Sequence, residues 1–271
     1  MSRPLVLKLG GELLESPSQR ARIGAVAAAV VPTQRLVIVH GGGRAIDAEL
    51  ARRQIAPRKV DGLRITDAAT LEAVVAVLAG SANTDLVASL VAAGVAAVGL
   101  TGVDAGFGRA ARTAAHRTTT GELVDLGLVG DPVDVDAALV SLLAAQGYVP
   151  VIASLGVDVE TAGVLNVNAD VMACRIAAAL GSCDLVIAGG TAGVLDDRGQ
   201  SIATLDIEGI DAAIATGTAT AGMIAKLSAC RTALLGGVAS IRLIDGRELD
   251  GSCRLETVPG TTLTAAARAV R

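Results

Sequence analysis

Two lysines stand where a charge is out of place. Lys8 lies inside the apolar run Leu-Val-Leu-Lys-Leu at 5–9, and Lys226 ends the small, apolar stretch Ala-Gly-Met-Ile-Ala-Lys at 221–226. A buried ammonium is costly unless an anion meets it. Lys8 is followed at once by Gly10 and Gly11. Paired glycines let the backbone approach a ligand closely and turn its N–H groups toward negative charge. The pair favours an anion site over the plainer alternative, a lysine snorkelling at a strand edge. Lys226 reads as a second placed cation near a helix start, with a solvated lysine as its alternative.

Three further groups belong with them. Gly41, Gly42 and Gly43 follow an apolar run and open a helix. Their spacing is not the GxGxxG dinucleotide fingerprint, so a nicotinamide cofactor is not supported, and a tight turn is the plain alternative. His40 before them reads as a packing residue. Arg64 follows Gly62 and Leu63; its planar fork suits a carboxylate, and a surface arginine is the alternative. Asn-Val-Asn-Ala-Asp at 166–170 sits where a helix begins. An N-cap role for Asn168 and a first-turn role for Asp170 account for two of its polar residues and leave Asn166 unexplained.

The elements that must position these groups alternate. Apolar runs near 5–9, 36–39, 96–100, 149–153, 185–188 and 240–244 read as strands. Helical stretches fall at 18–31, 44–53, 66–90, 168–180, 209–216 and 222–235, with a hairpin at 59–65 turning on Asp61-Gly62. Asp134 is placed to cap a helix reaching Gln146. Residues 102–132 read as loops and short hairpins. The alternation predicts an α/β fold, an open αβα sandwich with a mainly parallel sheet, whose ligands bind beyond the strands' carboxyl ends. Two lobes sharing one sheet are expected.

Composition narrows the partners. The 271 residues are 52% hydrophobic and 18% charged, with net charge -4, so the chain folds around a core and carries no basic field for nucleic acid. Aromatics are 1%, which also removes base-stacking platforms. Cys174, Cys183, Cys230 and Cys253 form no CxxC pair and no zinc spacing, and read as free thiols in a reducing cytoplasm. The uncharged stretches 86–103 and 137–157 are broken by glycine, glutamine or proline and read as buried elements, not membrane spans.

Taken together, the runs at 5–14, 37–43, 61–66, 126–130, 165–170 and 222–226 resemble the motifs of N-acetylglutamate kinases, a branch of the amino acid kinase superfamily. They occur in that family's order over nearly the whole chain. The resemblance implies transfer of the γ-phosphoryl group of ATP to the side-chain carboxylate of N-acetyl-L-glutamate, the second step of arginine biosynthesis. It implies that Lys8 and Lys226 flank the transferring group, with Asp170 holding both. Gly11, Gly42 and Gly43 would offer N–H groups, Arg64 would take the substrate α-carboxylate, and Asn166 its acetamido group. ATP would lie against Gly10, Gly190, Thr191, Gly193, Val194, Leu195, Thr218 and Thr220. Mg²⁺ would be held mainly by the nucleotide phosphates, with no metal ligands of the protein's own. Residues 1–181 would bind the acyl amino acid and dimerise, and 182–271 would bind ATP, in a cytoplasmic homodimer.

The chain departs from that pattern at Gly190, where relatives usually carry an aspartate opening the nucleotide loop, and by one extra residue near Ser182-Cys183. Seven residues precede Lys8, which leads to the expectation of a dimer insensitive to arginine. Two other readings stay open. One is a kinase for a related acyl amino acid, such as N-acetyl-aminoadipate or N-succinylglutamate. The other is a ligand sensor on the same fold.

Overall fold

The computed structural model describes residues 3–118, 120–215, 221–252 and 255–265. The chain opens with β1 (Leu5–Leu9), α1 (Pro17–Val30), β2 (Leu36–His40) and α2 (Gly43–Arg52). The hairpin of β3 (Lys59–Val60) and β4 (Leu63–Arg64) leads to α3 (Ala68–Val75) and α4 (Asn83–Ala92), joined by a wider helical turn over Ala76–Ala82. Then come β5 (Ala97–Thr101), β6 (Gly108–Arg112), β7 (His116–Arg117), β8 (Leu123–Val124), β9 (Val129–Val135), α5 (Ala138–Ala145) and β10 (Val149–Ala153). The second half holds β11 (Leu155–Asp158), β12 (Val164–Val167), α6 (Ala169–Ala179), β13 (Asp184–Gly189), β14 (Thr204–Leu205), α7 (Ile207–Ala215), α8 (Ala221–Leu235), β15 (Ser240–Asp245) and β16 (Gly260–Leu263).

Eight strands make one sheet in the order β14-β16-β15-β13-β1-β2-β10-β5. Its pairs are parallel except β15 with β16. Strands β1, β2 and β10 are buried along their whole length, as a sheet covered on both faces requires. The strand period divides their side chains between two cores. Val6, Val37, Val39 and Ile187 face α6 and α8, with Met172, Ile176 and Leu227. Leu5, Leu7, Leu9 and Ile38 face α1 and α4, with Ile23, Val26, Leu86 and Leu90. The αβα sandwich and the unbroken sheet are therefore present as expected.

Local chemistry fixes the helix starts. Ser16 and Gln19 form a reciprocal capping box at α1. Asp67 accepts from Thr70 N–H at α3, and Asn168 accepts from the N–H groups of Asp170 and Val171 at α6. Asp134 is a correction. It lies in β9, paired with Arg109 of β6, because that ladder continues to Val135. Asp136 instead accepts from Ala138 N–H where α5 begins. Most of 102–132 is also more regular than expected: β6 and β9 close into a small ring with β11 and β12. Strands β14 and β16, which extend the sheet, were not anticipated either.

One continuous helical stretch, Ala68–Ala92, is long and apolar enough to cross a membrane by length and composition. Its residues Val74, Val77, Leu78, Leu86 and Leu90 are buried in this fold's own cores. Three cysteines, Cys174, Cys183 and Cys230, are buried and free; Cys253 lies outside the described residues. Burial pushes the Cys183 thiol up to about 12.

Candidate active site

Strand order brings the site together. Within the sheet β1 lies between β13 and β2, and β2 pairs with β10. The carboxyl ends of these four strands carry Gly10-Gly11, Gly41–43, Ser154 and Gly189-Gly190, which is where open α/β sheets bind ligands. The turns after β1 and β2 touch. A Cβ on Gly11 would lie 2.8 Å from the Gly42 Cα, and one on Gly42 would lie 2.9 Å from Leu78 Cδ2. Only glycine permits that approach.

Lys8, on the α6 face of β1, is 8% exposed. Its Nζ lies 2.7 Å from Asp170 Oδ1, and Lys226 Nζ lies 3.7 Å from Asp170 Oδ2. One carboxylate at the first turn of α6 thus stands between two ammonium groups supplied by β1 and α8. Burial pushes the Asp170 carboxyl up, but the ammonium groups of Lys8 and Lys226 outweigh it and hold its pKa below the ordinary value. The cluster carries net charge +1 where two cavities meet.

The first cavity, about 250 Å³, is lined by the glycine turns, Arg64, Asn166, Ser154 and the apolar side chains of Ile46, Leu63, Leu78 and Val129. Arg64 is 8% exposed. Its Nη2 donates to Asp47 Oδ1 (2.6 Å) and to the Gly43 carbonyl (3.2 Å). Its Nη1 is buried without a hydrogen-bond partner, a vacancy that an incoming anion would fill. Asn166 Nδ2 donates to Thr66 Oγ1 at 3.1 Å. Asp47 also takes Lys59 Nζ at 2.7 Å. Its burial raises the carboxyl pKa, and Lys59 and Arg64 together bring it below the ordinary value.

The second cavity, about 350 Å³, is lined by Lys8, Lys226, Asp170, Gly189, Gly190 and Thr191 together with Gly222, Met223 and Ala225 of α8. Gly10, Gly11, Gly42, Gly43, Arg64 and Asn166 all line the first cavity, and Gly10 does not line the second. Its N–H is already donated to the Ala188 carbonyl. Gly193, Val194 and Leu195 do not line the second cavity. Gly193 packs on Thr261, and the buried Val194 donates its N–H to Thr261 Oγ1 and accepts from Ile202 N–H. Leu195 pairs with Ser201. Those residues anchor the loop after β13. Thr218 and Thr220 lie outside the described residues.

His40 is fully buried. Its Nδ1 faces the Gly41 carbonyl at 3.1 Å and its Nε2 faces Asn83 Nδ2 at 3.0 Å. An amide nitrogen only donates, so Nε2 accepts and Nδ1 carries the proton. Burial, opposed in part by the Gly41 carbonyl, lowers its pKa to about 4. It is a neutral packing residue, as read from the sequence.

Sequence reasoning passed over Glu12, which lines both cavities, and Asp47 and Lys59 beside Arg64. An acid next to Gly10-Gly11 was a signal for the first. Nothing in the linear sequence ties Asp47 to a hairpin a dozen and more residues away.

The amino acid kinase family profile matches residues 3–245, and the chain belongs to that family. It is a phosphotransferase that takes ATP as co-substrate. Among curated relatives, the acetylglutamate kinase of Symbiobacterium thermophilum is 42% identical over 250 residues, spanning 90% of this chain and 85% of that one. The acetylglutamate kinase of Acidiphilium cryptum is 39% identical over 257 residues, spanning 93% and 85%. Among solved structures, N-acetylglutamate synthase from Neisseria gonorrhoeae, complexed with coenzyme A and N-acetyl-glutamate, superposes with a TM-score of 0.81 at 23% identity. It is matched over 98% of this chain and 60% of that one, and supports the fold alone.

Proposed function

We propose that the chain transfers the γ-phosphoryl group of ATP to the side-chain carboxylate of N-acetyl-L-glutamate, the activity its curated relatives are named for. One observation carries the reading at the site: Lys8, Asp170 and Lys226 stand at the seam of two cavities, and one cavity holds a buried arginine with an unpartnered nitrogen. The acyl amino acid enters the first cavity, its α-carboxylate on Arg64 and its acetamido group by Asn166. ATP enters the second, beside Gly190 and Thr191. In this reading 1–181 serve the acceptor and 182–271 the nucleotide.

The chemistry asks little of the protein beyond alignment and charge. A glutamate side chain has a pKa near 4.3, so the nucleophile is ionised at neutral pH and no general base is needed. The carboxylate oxygen attacks phosphorus in line, and ADP leaves with the bond electrons. Lys8 and Lys226 balance charge on the transferring group, and Asp170 fixes their spacing. Among the described residues no group of three or more His, Cys, Asp or Glu could hold a metal. In this reading Mg²⁺ comes held mainly by the nucleotide phosphates, where it would offset their charge. Assembly as a cytoplasmic homodimer stands with this proposal. Edge strand β5 and the exposed apolar side chains Val91 of α4, Leu142 of α5 and Tyr148 support the dimer, and sedimentation equilibrium tests it.

The test is ADP release coupled to hydroxylamine trapping. ADP and hydroxamate that appear together only with N-acetyl-L-glutamate support the reading. Turnover with N-acetyl-aminoadipate or N-succinylglutamate in its place moves the assignment to that acceptor. No turnover with any of the three defeats it.

A further inference from the structure

Three carboxylates line the second cavity, and two of them are engaged. Asp170 lies between Lys8 and Lys226, and Asp61 pairs with His116 Nε2 at 2.9 Å. The third, Glu12, lines the cavity without a side-chain hydrogen bond or close ion pair among the described residues, and its charge is felt by Arg247, which donates to the Gly190 carbonyl. It sits on the short helical turn Gly11–Leu13 immediately after β1, and its carboxylate folds back over Gly10. Oε1 lies 3.6 Å from the point a Cβ on Gly189 would occupy and 3.7 Å from the point for one on Gly190. Lys226 Nζ lies 3.7 Å from the same Gly189 point. The two glycines therefore leave open a space bordered by the Glu12 carboxylate, with the Lys226 ammonium also against it at Gly189.

A carboxylate that no donor holds repels a polyphosphate placed against it, and a cation between the two removes that repulsion. Mg²⁺ is bound in nucleotide sites through one or two carboxylates together with phosphate oxygens and waters. One carboxylate free of hydrogen bonds, with no group of three or more His, Cys, Asp or Glu placed to hold a metal among the described residues, fits a cation that arrives on the nucleotide and not one held by the protein alone.

We infer that Glu12 is this chain's ligand to the divalent cation that accompanies the nucleotide, directly or through one bound water. The inference rests on the second cavity being the nucleotide site. It gives the cation a fixed point at the seam, since Glu12 also lines the acceptor cavity.

The experiment is calorimetric titration of the non-hydrolysable analogue adenylyl imidodiphosphate, with Mg²⁺ and with chelator, into the unaltered chain and into Glu12→Gln. The expected result is that Mg²⁺ tightens binding to the unaltered chain and that Glu12→Gln loses tenfold or more of that gain. Metal-free binding should stay level or tighten, because a repelling charge is gone. An equal Mg²⁺ gain in both proteins overturns the inference. So does a variant that loses metal-free binding as well, which would make Glu12 a structural residue of the turn. If the analogue binds the unaltered chain under neither condition, the nucleotide reading of the cavity falls and takes this inference with it.

Discussion

The two cavities share Asp170 and are furnished in opposite ways. In the first, polar side chains are held before any ligand arrives: Arg64 by Asp47 and the Gly43 carbonyl, Asn166 by Thr66. The second has held groups too, Asp170 between its lysines and Asp61 on His116, but the rest of its wall is glycine backbone, Met223 and Ala225 of α8, and the Glu12 carboxylate, which no hydrogen bond holds. Side chains locked by second partners discriminate shape and charge. Backbone and diffuse charge accept a phosphate chain with less regard to detail. In the proposed reading the acyl amino acid is therefore recognised by a prepared surface, and the nucleotide by a field and a space.

That contrast is broken most sharply at the seam itself. Lys8→Met keeps the side chain's bulk and removes the charge nearest Asp170. Loss of one donor to a developing charge costs about 10²–10³-fold in turnover. The expected outcome is that drop in kcat, with the dissociation constant of the acyl amino acid changed severalfold at most, because the proposed reading has Arg64 and Asn166 hold it independently. Hydroxamate assays and calorimetry on the same preparation read the two quantities. A variant that keeps its turnover takes Lys8 out of the phosphoryl-transfer role.

A second break tests what supports the acceptor side. His40 ends β2 directly beneath the Gly41–43 turn, and its pKa falls from 6.5 to about 4. The unfolded chain takes up a proton near pH 6.5, while the folded chain resists it until about pH 4. The neutral ring's contribution is complete above pH 6.5 and is lost as pH falls through that window, by roughly 3 kcal/mol in all. Thermal melts between pH 7.5 and 4.5 should fall for the parent chain and flatten in that window for His40→Gln. Parallel curves for the two would mean that His40 is already charged, or is not what titrates.

The same contrast explains what the sequence made legible. Lys8, Gly11, Gly42, Gly43 and Asp170 lie next to strand ends or a helix cap, where local pattern dictates geometry, and the strand order brings them together. The ring of β6, β9, β11 and β12 was hidden because its short strands lack an alternating apolar pattern, and because Gly108, Gly130 and Gly156 sit where the strands crowd. β16 escaped notice for a related reason: Gly-Thr-Thr-Leu carries little apolar signal. On the nucleotide side, Gly193 and Val194 look like ligand-loop residues in a linear motif. Only the fold shows their contact with Thr261.

The finest test of the prepared surface is Asp47. Its carboxylate grips Arg64 Nη2 and Lys59 Nζ and leaves Arg64 Nη1 free, and it lies outside the lining of the first cavity, so it is placed to act through Arg64. Asp47→Asn keeps the shape and weakens a charged hydrogen bond, an effect of about 1 kcal/mol or roughly fivefold. That loss should appear in the KM for the acyl amino acid, with kcat and nucleotide affinity level. A positioning role makes a further demand. In an Arg64→Lys background, where the planar fork is already gone, Asp47→Asn should add little, because neighbours that act through one contact are not additive. If the two losses simply add, or if kcat falls with KM, then Asp47 serves α2 and the hairpin as a whole. The acceptor cavity would then owe its order to packing, and not to a held arginine.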